Sequence, residues 1–112
     1  MDCIFCKIIA KEIPSNTVYE DEKIKAFRDI NPQAPVHVVI VPKAHIACAD
    51  EITSQNSENI AYIFEKIPHI AKLCGLSNGY RVVNNCGSDG CQSVKHIHFH
   101  LLGGTKLSEK MS

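Results

Sequence analysis

Three histidines occur at alternate positions near the end of the chain, at His96, His98 and His100. In a β-strand, side chains at alternate positions share one face, so the three imidazoles would lie in a row. The intervening Ile97 and Phe99 are apolar, which indicates that the opposite face packs on the core. Imidazole acts near neutral pH as a nucleophile, a proton carrier and a metal ligand. We therefore look for the chemistry of the chain in this row.

The histidine row has three interpretations. The first is a set of solvated or hydrogen-bonded side chains without a chemical role. The second is a metal site, but His96 and His100 would lie about 13 Å apart along a strand. Three ligands of one ion fit this spacing poorly, so the histidines must divide between roles. The third is a phosphate site, in which a neutral imidazole attacks phosphorus and a protonated neighbour holds a phosphate oxygen.

The loop that precedes the row favours the phosphate interpretation. Gly87, Gly90 and Ser93 would offer free backbone N–H groups to an anion. Asn85 and Gln92 add neutral amide groups. The segment has no acidic cluster and no Lys-Ser/Thr phosphate loop, so metal-free phosphoryl chemistry fits it better than magnesium-dependent transfer.

The rest of the sequence supplies the elements that must position these residues. Hydrophobic periodicity predicts a short helix, three strands, one long helix and two further strands. Short gaps between most strands favour an antiparallel sheet with the long helix on one face, which is an α+β fold. The predicted segments are a helix over 4–10, strands over 17–20, 24–30 and 36–41, a helix over 57–74, and strands over 80–85 and 94–102.

Length and composition are those of one globular domain. The chain has 112 residues, of which 45% are hydrophobic and 21% charged, and this excludes a disordered chain. Twelve basic residues balance twelve acidic ones, so no net field directs the protein to nucleic acid or a membrane surface. No apolar run spans a bilayer, and the first residues lack signal-peptide features. We expect one cytoplasmic domain over 1–112, with 103–112 as a frayed tail.

Six cysteines need an explanation in a chain of this size. In a reducing compartment they are metal ligands, buried thiols or reactive sites. Cys3 and Cys6 form a Cys-x-x-Cys pair, which is half of a tetrahedral zinc site or a redox motif, but no βαβ pattern supports the redox interpretation. A disulfide between Cys86 and Cys91 is conceivable, and free thiols are favoured. Structural roles are assigned to the remaining Cys48 and Cys74.

Together these motifs resemble the histidine triad (HIT) family. Residues 90–104, Gly-Cys-Gln-Ser-Val-Lys-His-Ile-His-Phe-His-Leu-Leu-Gly-Gly, are similar to its signature His-x-His-x-His led by Gly-Gln-Ser. Upstream segments resemble the Hint branch, and the resemblance covers about residues 3–104. These segments are Cys3-Ile-Phe-Cys-Lys-Ile-Ile, Lys11-Glu-Ile-Pro, Ala26-Phe-Arg-Asp-Ile-Asn-Pro-Gln-Ala-Pro, His37, Val41-Pro-Lys-Ala-His45 and Tyr80-Arg-Val-Val-Asn.

The resemblance implies a fold and an activity. Members have an α+β meander with a five-stranded antiparallel sheet and two helices, and Hint-like members form homodimers with a joint ten-stranded sheet. Their activity is hydrolysis of purine nucleoside 5′-phosphoramidates to nucleoside monophosphates. His98 matches the nucleophile, which forms a nucleotidyl-histidine that water cleaves. The carbonyl of the residue that matches His96 holds its Nδ1–H.

The resemblance also implies roles for neighbouring residues. His37 and His100 match histidines that support the nucleophile and the phosphate, and Ser93 matches the residue at which the leaving amine gains a proton. The remaining matched positions are Asn85 and Gln92 beside phosphate or ribose, Asp29 at the ribose, and Phe5, Ile8, Ile13, Phe27 and Val39 around the purine, although on sequence alone these five are ordinary core residues.

Many microbial members bind structural zinc through a Cys2His2 set that is matched here by Cys3, Cys6, His45 and His96. No metal is then needed for the chemistry itself. The alternative for the two cysteines is a pair of reduced thiols near a short helix.

Two departures and two other functions remain open. Cys91 stands where relatives have glycine, and the C-terminal residues lack the aromatic and proline-bearing tail of animal Hint proteins. The other functions are a dinucleoside polyphosphate hydrolase of the Fhit branch and a non-catalytic nucleotide-binding module. The two glycines after the triad and the Pro-Gln-Ala-Pro loop favour the Hint branch, and His100 argues against a nucleotidyl transferase.

Overall fold

The computed structural model describes residues 3–111 and contains two helices and one sheet. All strand pairs are antiparallel, in the order β1-β2-β3-β5-β4. The first three strands form a meander, and β5 lies between β3 and β4. Over 3–111 no helix has the length and apolarity needed to cross a membrane. The elements are α1 Ile4–Ile9, β1 Thr17–Glu20, β2 Ile24–Arg28, β3 Val36–Pro42, a 3-10 turn Ala49–Glu51, α2 Ser57–Leu73, β4 Arg81–Val83 and β5 Phe99–Gly103.

The main core lies between α2 and one face of the sheet. The apolar stripe predicted for α2 provides Ile63, Ile67 and Ile70, which are all buried. Pro68 lies inside this helix, and Gly75 follows its end with a positive φ of 73°, a conformation that glycine adopts without strain. The main sheet residues of this core are Ile24, Ala26, Val38, Ile40, Phe99 and Leu101.

The short helix α1 packs on the opposite face of the sheet. Because side chains alternate along a strand, Phe27 and Val39 point away from α2 and pack with Phe5 and Ile8 of α1. Ile4, which the periodicity places on the same side of this helix, is 46% exposed. The sheet therefore separates two apolar clusters, one under each helix.

The last strand is shorter than predicted. The sequence indicates a strand over 94–102, but β5 begins only at Phe99, which pairs with Ile40 of β3. The preceding backbone has other partners: the Ile97 N–H donates to the carbonyl of Ile46 at 2.6 Å, and the His98 carbonyl accepts from the Asn84 side chain at 2.9 Å. Residues 94–98 thus lie outside the ladder, and the chain bends over 94–96.

Other boundaries also differ from the sequence prediction. The strand predicted over 80–85 covers only Arg81–Val83. The second strand ends at Arg28, and Ile30 beyond it is 96% exposed. The expected frayed tail over 103–112 is wrong in part, because Gly103 belongs to β5 and the Arg81 guanidinium donates to the carbonyl of Ser108. Ser112 lies outside the described residues.

Asp21 joins the turn between β1 and β2 to helix α2. Its carboxylate accepts the hydroxyls of Tyr19 at 2.7 Å and Tyr62 at 2.6 Å, and the backbone N–H groups of Lys23 and Ile24. Burial raises the pKa of Asp21, but the Tyr62 hydroxyl and the other donors outweigh it and lower the pKa to about 2.

We expect Asp21→Ala to lower the free energy of unfolding by about 2 kcal/mol, since it leaves two tyrosine hydroxyls and two amides without their acceptor. Urea unfolding at pH 7 measures this loss. The lowered pKa means that the carboxylate stabilises the fold above about pH 4 and that this contribution disappears as the pH falls through 2. The exposed neighbour variant Glu22→Ala should change stability by less than about 0.5 kcal/mol, and equal effects of the two variants would refute the assignment.

Candidate active site and metal site

His98 is held in one tautomer. Its ring is buried, and Nδ1 lies 2.8 Å from the backbone carbonyl of His96. A carbonyl oxygen only accepts, so Nδ1 carries the proton and Nε2 keeps a free lone pair. Asn84 donates to the backbone carbonyl of His98. The ring of Phe5 packs edge to face with the imidazole, and the two ring centroids are 5.0 Å apart. The arrangement leaves Nε2 with a fixed orientation and a free lone pair, which a nucleophilic imidazole requires.

His37 and His100 form a second oriented pair. The backbone N–H of Gln33 donates to Nδ1 of His37 at 3.0 Å, so the neutral ring carries its proton on Nε2. That nitrogen lies 2.8 Å from Nδ1 of His100 and donates to it. His100 then carries its own proton on Nε2 and has one N–H donor left beside His98, whose ring centroid is 5.1 Å away.

Burial keeps both of these histidines neutral. It lowers the pKa of His100, and the neighbouring His98 and His37 lower it further, to about 4. Burial also lowers the pKa of His37, although Asp29, whose carboxylate lies 3.5 Å from Nε2, opposes the shift. The pair can therefore donate a hydrogen bond at neutral pH without charge.

An apolar cavity of about 420 Å³ opens beside His98 and His100. Such a volume falls in the range of small-molecule sites. Its polar groups include Ser93 and Asp29, and a carboxylate oxygen of Asp29 accepts the N–H of Asn31 at 2.7 Å. Its apolar lining consists mainly of Ile4, Phe5, Ile8, Pro14, Phe27, Ile30 and Val39.

The structure brings together most of the residues predicted for a nucleotide site. Of the five purine-pocket candidates, Ile13 alone lies away from this cavity and lines a separate surface depression. Asn85 lines a second cavity of about 470 Å³, which His37 and His100 also border. The sequence analysis missed Asn84, whose side chain donates to the backbone carbonyl of His98. Asn84 and Asn85 are adjacent, and nothing in the pattern shows which of them makes this contact.

The loop before the triad is tied down by its own residues. The side chain of Gln92 accepts the N–H of Gly87 at 3.0 Å and donates to the carbonyls of Ala47 and Val94. The expectation that the Gly87 N–H is free for an anion is therefore wrong. Cys91 has a positive φ of 58°, a backbone conformation that favours glycine. This conformation explains why a glycine is the residue expected at position 91.

A second cluster forms around His96, two residues before His98. It consists of Cys3, Cys6, His45 and His96, whose ligand atoms lie within 4.8 Å of one another. The Nε2–H of His96 donates to the carbonyl of Pro42 at 2.8 Å, so the Nδ1 lone pair points at the sulfurs. Nδ1 of His96 lies 3.3 Å from the sulfur of Cys3 and 3.6 Å from that of Cys6. The histidine row thus divides between two places, as its spacing requires.

Four separations between the donor atoms match those in a tetrahedral zinc site. Zn–S bonds of about 2.3 Å and Zn–N bonds of about 2.0 Å imply S···N separations of roughly 3.5 Å and N···N separations of roughly 3.3 Å. The sulfur of Cys6 lies 3.3 Å from Nδ1 of His45, and the two imidazole nitrogens are 3.1 Å apart. The His37–His100 distance of 2.8 Å is instead that of a direct hydrogen bond.

Comparison with known proteins agrees with this geometry. The HIT domain model matches residues 10–107. The chain belongs to the HIT family. The chain is also similar to a 14 kDa zinc-binding protein from Zea mays. The two are 54% identical over 94% of this chain and 84% of the maize protein. The adenylylsulfatase HINT1 from Arabidopsis thaliana is 48% identical over 94% of this chain and 73% of its own.

Solved HIT structures have the same fold. A histidine triad protein from Clostridium difficile superposes with a TM-score of 0.94 at 50% identity, covering 98% of this chain and 96% of its own. A HIT family hydrolase from Legionella pneumophila gives 0.93 at 49% identity, covering 96% and 97%. The fold that the resemblance to the HIT family implies, an antiparallel five-stranded sheet with two helices, is confirmed.

The neutral state of His100 predicts a pH dependence of stability. His100 takes up a proton near pH 6.5 in the unfolded chain but only near pH 4 in the folded protein. The free energy of unfolding therefore falls as the pH drops from 6.5 to 4. Each such histidine contributes at most about 1.4 kcal/mol per pH unit. We expect His100→Gln to lose less stability than the wild type between pH 6.5 and 4.5 in urea titrations. The exposed His69→Gln variant serves as control, and identical slopes for the wild type and His100→Gln would contradict the assignment.

Proposed function

We propose that the protein hydrolyses purine nucleoside 5′-phosphoramidates through a nucleotidyl intermediate on His98. The observation that carries this proposal is the 2.8 Å contact between Nδ1 of His98 and the carbonyl of His96. It leaves the Nε2 lone pair free beside a nucleoside-sized apolar cavity. The HIT hydrolases among its structural relatives support the reaction class.

In the first step, the lone pair on Nε2 of His98 attacks the α-phosphorus, and the P–N bond to the amine breaks. The leaving nitrogen must gain a proton, and Ser93, which lines the same cavity as His98, would pass one to it. In the second step, water attacks the same phosphorus and gives a proton back to Ser93, the bond to Nε2 breaks with its electron pair returning to the imidazole, and the nucleoside monophosphate leaves. The Nδ1–H of His98 keeps its hydrogen bond to the His96 carbonyl through both steps.

His37 and His100 would stabilise the phosphate during both steps. The donor chain from the Gln33 amide through His37 aligns the Nε2–H of His100 for a phosphate oxygen. A preoriented donor in a partly buried site stabilises developing negative charge without reorganising. Since the pKa of His100 is about 4, this donor is neutral and its strength does not change between pH 5 and 8.

Substrate recognition divides between apolar and acidic groups. We assign the purine to the space between Phe5, Ile8, Phe27 and Val39. The rings of Phe5 and Phe27 pack edge to face there, with their centroids 5.6 Å apart. The carboxylate of Asp29, which lines the same cavity, would accept ribose hydroxyls. The preference for adenine or guanine needs a base-edge contact beyond these residues.

A second substrate class shares the same intermediate. The relative named an adenylylsulfatase acts, by its name, on an adenylyl group bonded to sulfate. His98 would attack phosphorus in the same way, but sulfate leaves without a proton. Ser93 should therefore matter for the phosphoramidate and not for the sulfate.

We also propose a structural zinc ion on Cys3, Cys6, His45 and His96. The tetrahedral fit of the donor atoms and the zinc-binding relative support it. Zinc supplies no step of the chemistry here, and it would fasten α1 to the segment that carries His98. The family resemblance further supports a homodimer with a ten-stranded sheet, formed along an exposed edge of the sheet.

The first test is turnover of adenosine 5′-phosphoramidate. We expect the wild type to release AMP and His98→Ala to lose at least about a thousandfold in kcat while it still binds AMP, because Nε2 is the attacking atom. His69→Ala, an exposed histidine far from the cavity, should match the wild type. Parallel assays with adenylyl sulfate and with diadenosine polyphosphate separate the alternatives. AMP binding without release from any substrate would leave only the binding module.

The zinc proposal is tested by metal analysis. We expect about one zinc ion per chain in the wild type and at least a tenfold loss of zinc affinity in His45→Ala, because one of four ligands is removed. His45 is exposed, so this variant perturbs packing least. A chelator should lower the thermal midpoint of the wild type. Metal-free wild type, or equal zinc content in the variant, would refute the site.

A further inference from the structure

Two cysteines that the proposed function does not use lie together. The sulfurs of Cys48 and Cys86 and a carboxylate oxygen of Asp50 are within 4.8 Å of one another. Both cysteines are partly exposed, although they stand 38 positions apart in the sequence. The sequence analysis favoured free thiols and considered only the pair Cys86 and Cys91, which flank the same loop.

An independent hydrogen-bond bridge holds these two segments together. The side-chain amide of Gln92 accepts the N–H of Gly87 and donates to the carbonyl of Ala47. Gly87 follows Cys86, and Ala47 precedes Cys48, so one amide fixes the chain beside each cysteine. The approach of the two sulfurs is therefore built into the loop and is not an accident of two mobile side chains.

We propose that Cys48 and Cys86 are a disulfide-forming pair, a redox modification site that ties the loop before the triad to the segment after His45. The oxidant is a low-molecular-weight disulfide such as oxidised glutathione. One cysteine thiolate attacks it and releases one glutathione thiolate. The second cysteine thiolate attacks the resulting mixed disulfide, forms the Cys48–Cys86 bond and releases the second glutathione. The two cysteines lose two protons, and glutathione disulfide takes up the two electrons.

The environment of Cys48 sets the conditions of the reaction. The Asp50 N–H bonded to the Cys48 thiol lowers its pKa, but burial and the Cys86 thiol raise it by more, so the net shift is upward. Because the thiolate is the reacting form, the pair should oxidise faster as the pH rises from 7 to 9.

Peptide mapping tests the pair in the full-length protein with its metal retained. Trypsin cleaves after Lys43, Lys66, Arg81 and Lys95, which places Cys48 in residues 44–66 and Cys86 with Cys91 in residues 82–95. After treatment with oxidised glutathione and alkylation, we expect peptides 44–66 and 82–95 to be linked. The link should persist in Cys91→Ser, and should be absent from Cys48→Ser and Cys86→Ser.

A second measurement applies to the wild type alone. A bond that closes the loop from Cys48 to Cys86 constrains the unfolded chain, so oxidation should raise the thermal midpoint by at least about 5 °C, reversibly on reduction. A bond between Cys86 and Cys91, glutathione attached only to Cys91, unchanged thiols, or a second zinc ion that protects Cys48 and Cys86 would each overturn the proposal.

Discussion

The imidazole of His96 is completely buried, and each of its polar groups has a fixed partner. Its Nε2–H donates to Pro42 at the end of β3, its Nδ1 faces the cysteines, and its backbone carbonyl orients His98. A buried histidine without such partners would cost several kcal/mol. His96 therefore connects the sheet, the proposed metal cluster and the proposed nucleophile. If one of these three moves, the contacts of His96 shift the other two.

The second requirement of the site is that His37 and His100 stay uncharged. The protein achieves this by desolvation, because an apolar environment lowers the pKa of both rings. A neutral ring also needs a specified tautomer. The Gln33 amide specifies it for His37, which in turn specifies it for His100, and the His96 carbonyl holds the proton on Nδ1 of His98. Backbone groups suit this task because strand pairing and loop geometry fix their position. The reactive geometry is thus inherited from the fold and does not depend on flexible side chains.

The sequence predicted the α+β fold and the division of the histidine row because both follow from local regularities. Alternation along the chain places Ile97, Phe99 and Leu101 in the core, and strand spacing separates His96 from His100. It could not predict where β5 begins, since that depends on partners such as Ile46 that are distant in the chain. It also missed the proximity of Cys48 to Cys86, which depends on the folding of two remote loops. Contacts between remote loops leave no periodic trace in a sequence.

The shortness of α1 has a consequence for the order in which the molecule assembles. A helix of six residues is far too short to persist alone in water. One of its anchors lies at the far end of the chain, since Cys3 meets His96 across 93 positions. During synthesis on the ribosome, this contact cannot form until nearly the whole chain has emerged. The wall of the cavity that carries Phe5 and Ile8 is therefore among the last parts to form, and a truncated product lacks a closed binding site.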